Sequence, residues 1–223
     1  MILVSTHWLN ENSSKVKIID CSWHMPSTHR DGYTEYLQEH ISEAIFFDLD
    51  KNSEPNTDLP HMLPKATYFQ KVVSNLGITN KDKIVIYDNS DVFSACRCWF
   101  TFFYFGHNPK KLLVLNGGLK KWKLENKTVS KTIGPIKKSN YFVNEQKDLV
   151  KNIMEIKKNI IDQKFEVIDA RSKKRFEGLE PEPRPGLRSG HIRNSKNLPF
   201  IECINKANNT FKNKEDLIKI FEK

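Results

Sequence analysis

Two stretches of this chain carry the same short pattern, and that repetition constrains the fold more than any other feature. Strand-like Val16-Lys17-Ile18-Ile19-Asp20 returns as Phe165-Glu166-Val167-Ile168-Asp169, so that Asp169 lies 149 positions after Asp20 (169 − 20). Glu39-His40-Ile41-Ser42-Glu43-Ala44-Ile45-Phe46-Phe47 is then echoed by Gly190-His191-Ile192 followed by Asn197-Leu198-Pro199-Phe200. Each unit thus has a strand ending in Asp, a charged stretch, a His-Ile pair and a second short apolar run. Each next reaches a segment with apolar residues at helical spacing, 66–76 (Phe69, Val72, Val73, Leu76) and 214–222 (Leu217, Ile218, Phe221).

The first unit continues with Lys83-Ile84-Val85-Ile86-Tyr87-Asp88 as a buried strand, 93–105 as an apolar helix, and Lys111-Leu112-Leu113-Val114-Leu115 as a strand closed by Asn116-Gly117-Gly118. Strands alternating with helices predict an α/β fold around a central, mainly parallel sheet flanked by helices. The expected organisation is a first domain over 1–125, a surface linker over 126–148 containing Gly134-Pro135, and the first part of a second domain over 149–223 that opens on a helix at 149–161. By the repeat, residue 223 corresponds to residue 74 of the first unit (223 − 149), so roughly 50 residues of the second domain are expected to be missing.

Charge and cysteine usage narrow the function classes. With 36 Lys and Arg against 27 Asp and Glu the net charge is +9, but the lysines are interleaved with acids, which reads as a solvated surface and not as a nucleic-acid site. Such a surface can steer a small anionic substrate. The apolar run at 99–105 is far shorter than the roughly 20 residues of a membrane span, and the start of the chain has no signal-peptide pattern, so a cytoplasmic protein without membrane contact is expected. Four cysteines (Cys21, Cys96, Cys98, Cys203) make no disulfide framework and no CxxC, which suits a reducing compartment. Cys96 and Cys98 are expected to pack in the helix that carries them. With no HExxH, no paired CxxC and no dinucleotide fingerprint, neither a metal nor a cofactor is expected.

Four segments together carry a resemblance: Val167-Ile168-Asp169-Ala170-Arg171, Arg175-Phe176-Glu177-Gly178, Glu182-Pro183-Arg184-Pro185-Gly186-Leu187-Arg188-Ser189-Gly190-His191-Ile192, and Leu115-Asn116-Gly117-Gly118-Leu119-Lys120-Lys121-Trp122. The chain resembles the tandem-rhodanese sulfurtransferases, the thiosulfate/3-mercaptopyruvate sulfurtransferase family, along nearly its whole length. The resemblance implies a rhodanese-like domain followed by an incomplete second one, and an enzyme of EC class 2.8.1. Such an enzyme moves sulfane sulfur from 3-mercaptopyruvate or thiosulfate, through a cysteine persulfide, to a thiol or cyanide acceptor. The nucleophile must be a thiolate, held in a tight loop whose N–H groups and helix N-terminus stabilise the charge.

The same resemblance assigns that cysteine to the second domain's loop, which would fall just past residue 223. In the first unit's loop Asn89 takes the equivalent place, and the 223 residues alone are expected to be inactive. Arg175 and Arg184 are implied as the donor-binding residues, because a carboxylate is best held by a planar, permanently charged fork. Pairing with Glu177, Glu180 or Glu182 is the plainer reading of the same arginines. The Glu-Pro-Arg form at Arg184 leans toward 3-mercaptopyruvate. His40, with Asp31 upstream, is implied as an assistant in proton handling, against the plainer reading of a histidine satisfied by backbone groups. His191 is read as structural, Asp20 and Asp169 as anchors for loop N–H groups, and Arg97 as paired with a carboxylate that braces the silent loop. A different class of function stays open: a catalytically silent rhodanese-fold binding or regulatory module. The incomplete second domain would leave Val167, Ile168, Leu198 and Phe200 to be covered by the first domain or by self-association.

Overall fold

The computed structural model describes residues 2–183 and 186–222. It divides into two compact units, Met1–Lys147 and Asp148–Lys223.

The first unit begins with β1 (Leu3–Val4) and α1 (Thr6–Asn12), a helix capped by the Ser5 hydroxyl, which accepts from the Trp8 N–H at 3.0 Å. Then come β2 (Lys17–Asp20), α2 (Gly32–Gln38), β3 (His40–Ile41), β4 (Ala44–Phe46), α3 (Ala66–Asn75), β5 (Ile84–Tyr87), α4 (Ser94–Tyr104), β6 (Leu112–Leu115), α5 (Gly118–Leu124) and β7 (Val129–Ser130). Five strands form one sheet in the order β1-β6-β5-β2-β4, every neighbouring pair parallel. All four residues of β5 and of β6 are buried, as a parallel sheet covered on both faces requires. On one face α3 and α4 supply Phe69, Val73, Cys98 and Phe102, and on the other α1, α2 and α5 supply Leu9, Tyr36, Leu119 and Trp122. β5 connects onward to β6 on one side while β2 connects to β4 on the other. The loops at the carboxyl ends of β2 and β5 therefore part, which is where open α/β sheets form crevices.

Gly118 shows why the Gly-Gly turn must be what it is. Its φ is +55°, and a Cβ there would stand 2.4 Å from the Asp88 carbonyl oxygen. That same carbonyl accepts the Leu119 N–H at 2.9 Å, so α5 is hung from the end of β5.

The segment expected as a surface linker packs into the first unit instead. β7 pairs antiparallel with β3, the Ser139 N–H donates to the Ser74 carbonyl at 2.9 Å and the Asn144 N–H to the Phe105 carbonyl at 3.0 Å. Tyr141 is 1% exposed, edge-on to Phe69 and Phe102 and stacked on His107. One buried aromatic and a few backbone bonds hold a strap that has no hydrophobic period of its own. The first unit accordingly extends to Lys147 and not only to residue 125, while the second begins at Asp148, one residue before the start expected for it.

The second unit contains α6 (Ile153–Asp162), β8 (Ile168–Asp169), α7 (Lys173–Phe176), β9 (Lys196–Asn197), the antiparallel hairpin of β10 (Ile204–Asn205) and β11 (Thr210–Phe211), and α8 (Lys214–Phe221). Asn152 and Glu155 close a reciprocal capping box at the start of α6. β8 pairs parallel with β9, repeating the pairing of β2 with β4. β2 also has β5 on its other side, whereas β8 pairs with β9 alone among the described residues. This one-sided pairing explains why the expected strand over 165–169 is reduced to two residues. Ile168 and Phe200 are 47% and 41% exposed, and Val167 and Leu198 are half-buried.

Candidate functional site

Each unit gathers its polar residues at the carboxyl end of its first repeated strand. In the first unit Asp20 Oδ1 accepts the Ser22 N–H at 2.9 Å, and in the second Asp169 Oδ1 accepts the Arg171 N–H at 3.0 Å. Both aspartates therefore anchor the turn two residues on, as expected from their places in the repeat. The histidines repeat as well. His40 Nδ1 meets the Tyr36 carbonyl at 2.6 Å with its ring 4.2 Å from the Tyr36 ring, and His191 Nδ1 meets the Phe176 carbonyl at 2.8 Å with its ring 3.8 Å from that of Phe176.

This common geometry gives His40 a structural place. It is fully buried, and its Nε2 faces the Thr132 carbonyl at 3.2 Å. Asp31 is exposed and caps α2, accepting the Thr34 N–H at 2.7 Å and the Thr34 hydroxyl at 2.6 Å. Those bonds hold its carboxyl below the usual range. Because Asp31 precedes α2 and His40 follows it, the helix stands between them, and the structure does not bring them together.

The loop that carries Asn89 follows β5. The Asn89 N–H donates to Ser22 Oγ at 2.9 Å and its side-chain amide to Glu35 Oε2 at 2.9 Å. Glu35 also accepts both the Nε and the Nη2 of Arg30, at 2.6 and 2.8 Å, and faces His24 Nε2 at 3.1 Å. Arg30 Nη2 reaches the Asn89 carbonyl at 3.2 Å. His24, Arg30 and Glu35 carry no motif, since Glu35 and Asn89 lie 54 positions apart and only the parallel sheet joins them. A thiol in place of Asn89 would sit beside the Glu35 carboxylate, which disfavours a thiolate. Asn89 thus offers no sulfur at this place and has an acid at hydrogen-bond distance.

Beneath it, Asp88 Oδ2 accepts the Ala95 N–H at 2.7 Å and the hydroxyls of Ser90 and Ser94 at 3.2 Å each, fixing the start of α4. Burial pushes Asp88 up to about 6, and Asp20 likewise to about 6. Each carboxyl then holds its proton to higher pH folded than unfolded, so its contribution to stability is complete below about 4 and declines as pH rises toward 6. Replacing Asp88 by Asn keeps an acceptor for Ala95 and removes the titration. Thermal melts from pH 4.5 to 7.5 should show a smaller loss of Tm with rising pH for Asp88→Asn than for the natural chain, and equal slopes would contradict the assignment.

Arg97 does not pair with a carboxylate as expected. Its Nη2 donates to the His61 carbonyl and its guanidinium lies over the Phe100 ring at 5.8 Å, so it braces the 61–62 segment through backbone. Cys98 is buried, but Cys96 is exposed, because the two-residue step turns it to the outer side of α4.

In the second unit Arg171 and Arg175 converge on Glu182. Arg171 forks Asp169, donates through Nη1 to Glu182 Oε1 at 2.6 Å and through Nη2 to the Gly190 carbonyl at 2.7 Å. Arg175, on α7 behind the Ser172 cap, donates through Nε to Glu182 Oε1 at 3.3 Å and through Nη2 to Oε2. The Glu182 side chain is 5% exposed and that of Arg175 29%. Arg184 lies outside the described residues. Of the described residues implied for the site, Arg175 stands in this polar cluster, and its pairing with Glu182 is the plainer of the two expectations for it. Arg171, which fixes Glu182 from the other side, is in the sequence only a part of the motif.

A parallel sheet with strand-end loops and a twice-used Asp anchor matches a known family, the rhodanese-like domain, over residues 5–125. The chain belongs to the rhodanese family. Among its rhodanese relatives, the thiosulfate/3-mercaptopyruvate sulfurtransferase 1 of Arabidopsis thaliana, a mitochondrial protein, is 40% identical over 99% of this chain. The chain spans 63% of that relative's length. The 3-mercaptopyruvate sulfurtransferase of Rattus norvegicus is 35% identical, covering 99% of this chain and 76% of the relative. The crystal structure of the rhodanese-fold 3-mercaptopyruvate sulfotransferase SseA from Escherichia coli superposes with a TM-score of 0.89 at 28% identity, over 99% of this chain and 82% of that one. Tum1 from Saccharomyces cerevisiae gives 0.88 at 28% identity, over 100% and 79%. No helix among the described residues is long and apolar enough to cross a membrane.

Proposed function

We propose that this rhodanese chain serves sulfur transfer from a small anionic donor, 3-mercaptopyruvate or thiosulfate, to a thiol or cyanide acceptor through a cysteine persulfide. The observation that carries the reading is the 35% identity to the rat 3-mercaptopyruvate sulfurtransferase along 99% of the chain. In this reading Arg175 holds the donor's carboxylate together with Arg184, and the second unit is the opening part of a second rhodanese-like domain. The one-sided pairing of β8 and the exposure of Ile168 and Phe200 support that last point, and self-association across this open edge is part of the proposal. The 223 residues alone carry no loop cysteine and are read as inactive. The first unit is a silent half, a reading supported by the Glu35 carboxylate at Asn89. A role as a binding or regulatory module without catalysis draws on the same observation. We place the protein in a reducing compartment, the cytoplasm first, because its four cysteines are unpaired, and read its charge as a solvated surface with no nucleic-acid or membrane partner.

Isothermal titration of the chain with 3-mercaptopyruvate tests the donor site. Arg175→Ala should weaken binding by about tenfold or more, the loss expected for a hydrogen-bonded charge pair. Arg175→Lys should restore only part of it, because a lysine keeps the charge but not the fork. Equal affinities in all three proteins would remove Arg175 from the donor site.

A further inference from the structure

We propose that Glu182 is the positioning residue for the donor, acting through Arg175, an inference that rests on the reading of Arg175 as a donor-binding residue. A guanidinium offers two forks, one from Nε and Nη2 and one from Nη1 and Nη2. Glu182 takes the first: Nε at 3.3 Å from Oε1, with Nη2 on Oε2. Among the described residues Nη1 has no hydrogen-bond partner, so the second fork is the one an incoming carboxylate would take, in a plane set by Glu182. Glu182 is itself fixed from behind, since Oε1 accepts Arg171 Nη1 at 2.6 Å while Arg171 is anchored to Asp169 and to the Gly190 carbonyl. With its side chain 5% exposed, Glu182 has little freedom to swing away. The arginines at 171 and 175 also hold its carboxyl below the usual range, so it stays an acceptor throughout the neutral region.

The order Asp169, Arg171, Glu182, Arg175 is therefore a relay of alternating charge that ends at the donor. An arginine without such a partner would sample several rotamers, each of which binding would have to freeze out. Holding the fork in advance should favour a planar carboxylate, which engages two N–H groups at once, over a donor of tetrahedral shape.

The test uses the whole chain labelled with nitrogen-15, following the Arg Nε–H signals while adding 3-mercaptopyruvate and, as a carboxylate without sulfur, pyruvate. Arg175 should be rigid and slow to exchange before any addition, unlike exposed Arg188, and both compounds should shift it. Glu182→Gln should weaken binding of both by about tenfold or more, with the Arg175 signal displaced and mobile. Glu182→Asp, which keeps the charge on a shorter arm, should be intermediate. If the Gln variant loses its far-ultraviolet circular dichroism, the Asp variant and the mobility of Arg175 in the natural chain decide. Unchanged affinities in the variants, or an Arg175 as mobile as Arg188 in the natural chain, would overturn the positioning role while leaving Arg175 as a donor residue. A natural chain whose Arg175 signal ignores 3-mercaptopyruvate would overturn the donor reading itself.

Discussion

Incubated with 3-mercaptopyruvate or thiosulfate, the 223-residue chain is expected to gain no sulfur atom and to release no thiocyanate when cyanide is added. The reason is positional. Persulfide chemistry needs a thiolate at a strand-to-helix loop, where converging N–H groups hold the charge. The loop after β5 offers Asn89, whose amide is committed to Glu35. Cys21 and Cys98 are buried in the core, and burial pushes the Cys21 thiol far above its ordinary value. Cys203 is half-buried and raised in the same way, and Cys96 lies on α4 itself, past the loop. Loss of a catalytic nucleophile costs on the order of a million-fold in covalent enzymes, so turnover should be indistinguishable from the uncatalysed rate. Intact-mass spectrometry before and after cyanide reads the result directly. A one-sulfur adduct discharged by cyanide at an enzymatic rate would show that one of these four thiols is a working nucleophile.

The second large effect concerns the strap over 126–147. Tyr141→Ala should destabilise the first unit by roughly 3–5 kcal/mol, the usual loss for a large aromatic truncated in a core. Tyr141 closes a cluster in which Phe69 stacks on Phe105 at 4.2 Å and meets Phe102 edge-on at 5.2 Å. Its backbone N–H also donates to Ser74 Oγ at 3.0 Å, so a collapsed side chain would loosen the strap along with the core. Tyr141→Phe removes only the hydroxyl facing His107 Nδ1 at 3.3 Å and should cost about 1 kcal/mol. Urea denaturation of the three proteins separates these cases. Were 126–147 an unattached linker, Tyr141→Ala would change stability by no more than about 0.5 kcal/mol, as exposed positions do.

Particular residues show why some of this was legible in advance and some was not. β5 and β6 are legible because a doubly covered parallel sheet demands unbroken apolar runs, and Ile84-Val85-Ile86-Tyr87 and Leu112-Leu113-Val114-Leu115 are such runs. Ends shifted, most at 165–169, where the strand lost its first three residues for want of a second partner. Tyr141 could not be placed because a single buried aromatic in an aperiodic segment has no pattern to betray it. Arg97 was assigned a carboxylate on general grounds, and the structure gave it a carbonyl instead. A guanidinium accepts either partner, and composition does not choose between them.

The chain by itself determined the repeat, the α/β class and the use of one Asp per unit as an anchor, because each depends on local period or on residues two positions apart. Only the tertiary structure decided which distant groups meet. It joined Glu35 to Asn89 across 54 positions and Glu182 to both Arg171 and Arg175. It also separated Asp31 from His40 by the length of α2 and tied the strap to Ser74 and Phe105. Charges and hydrogen bonds act over a few ångströms of space, and the distance between two residues along a chain says little about that until the sheet has brought its strand ends together.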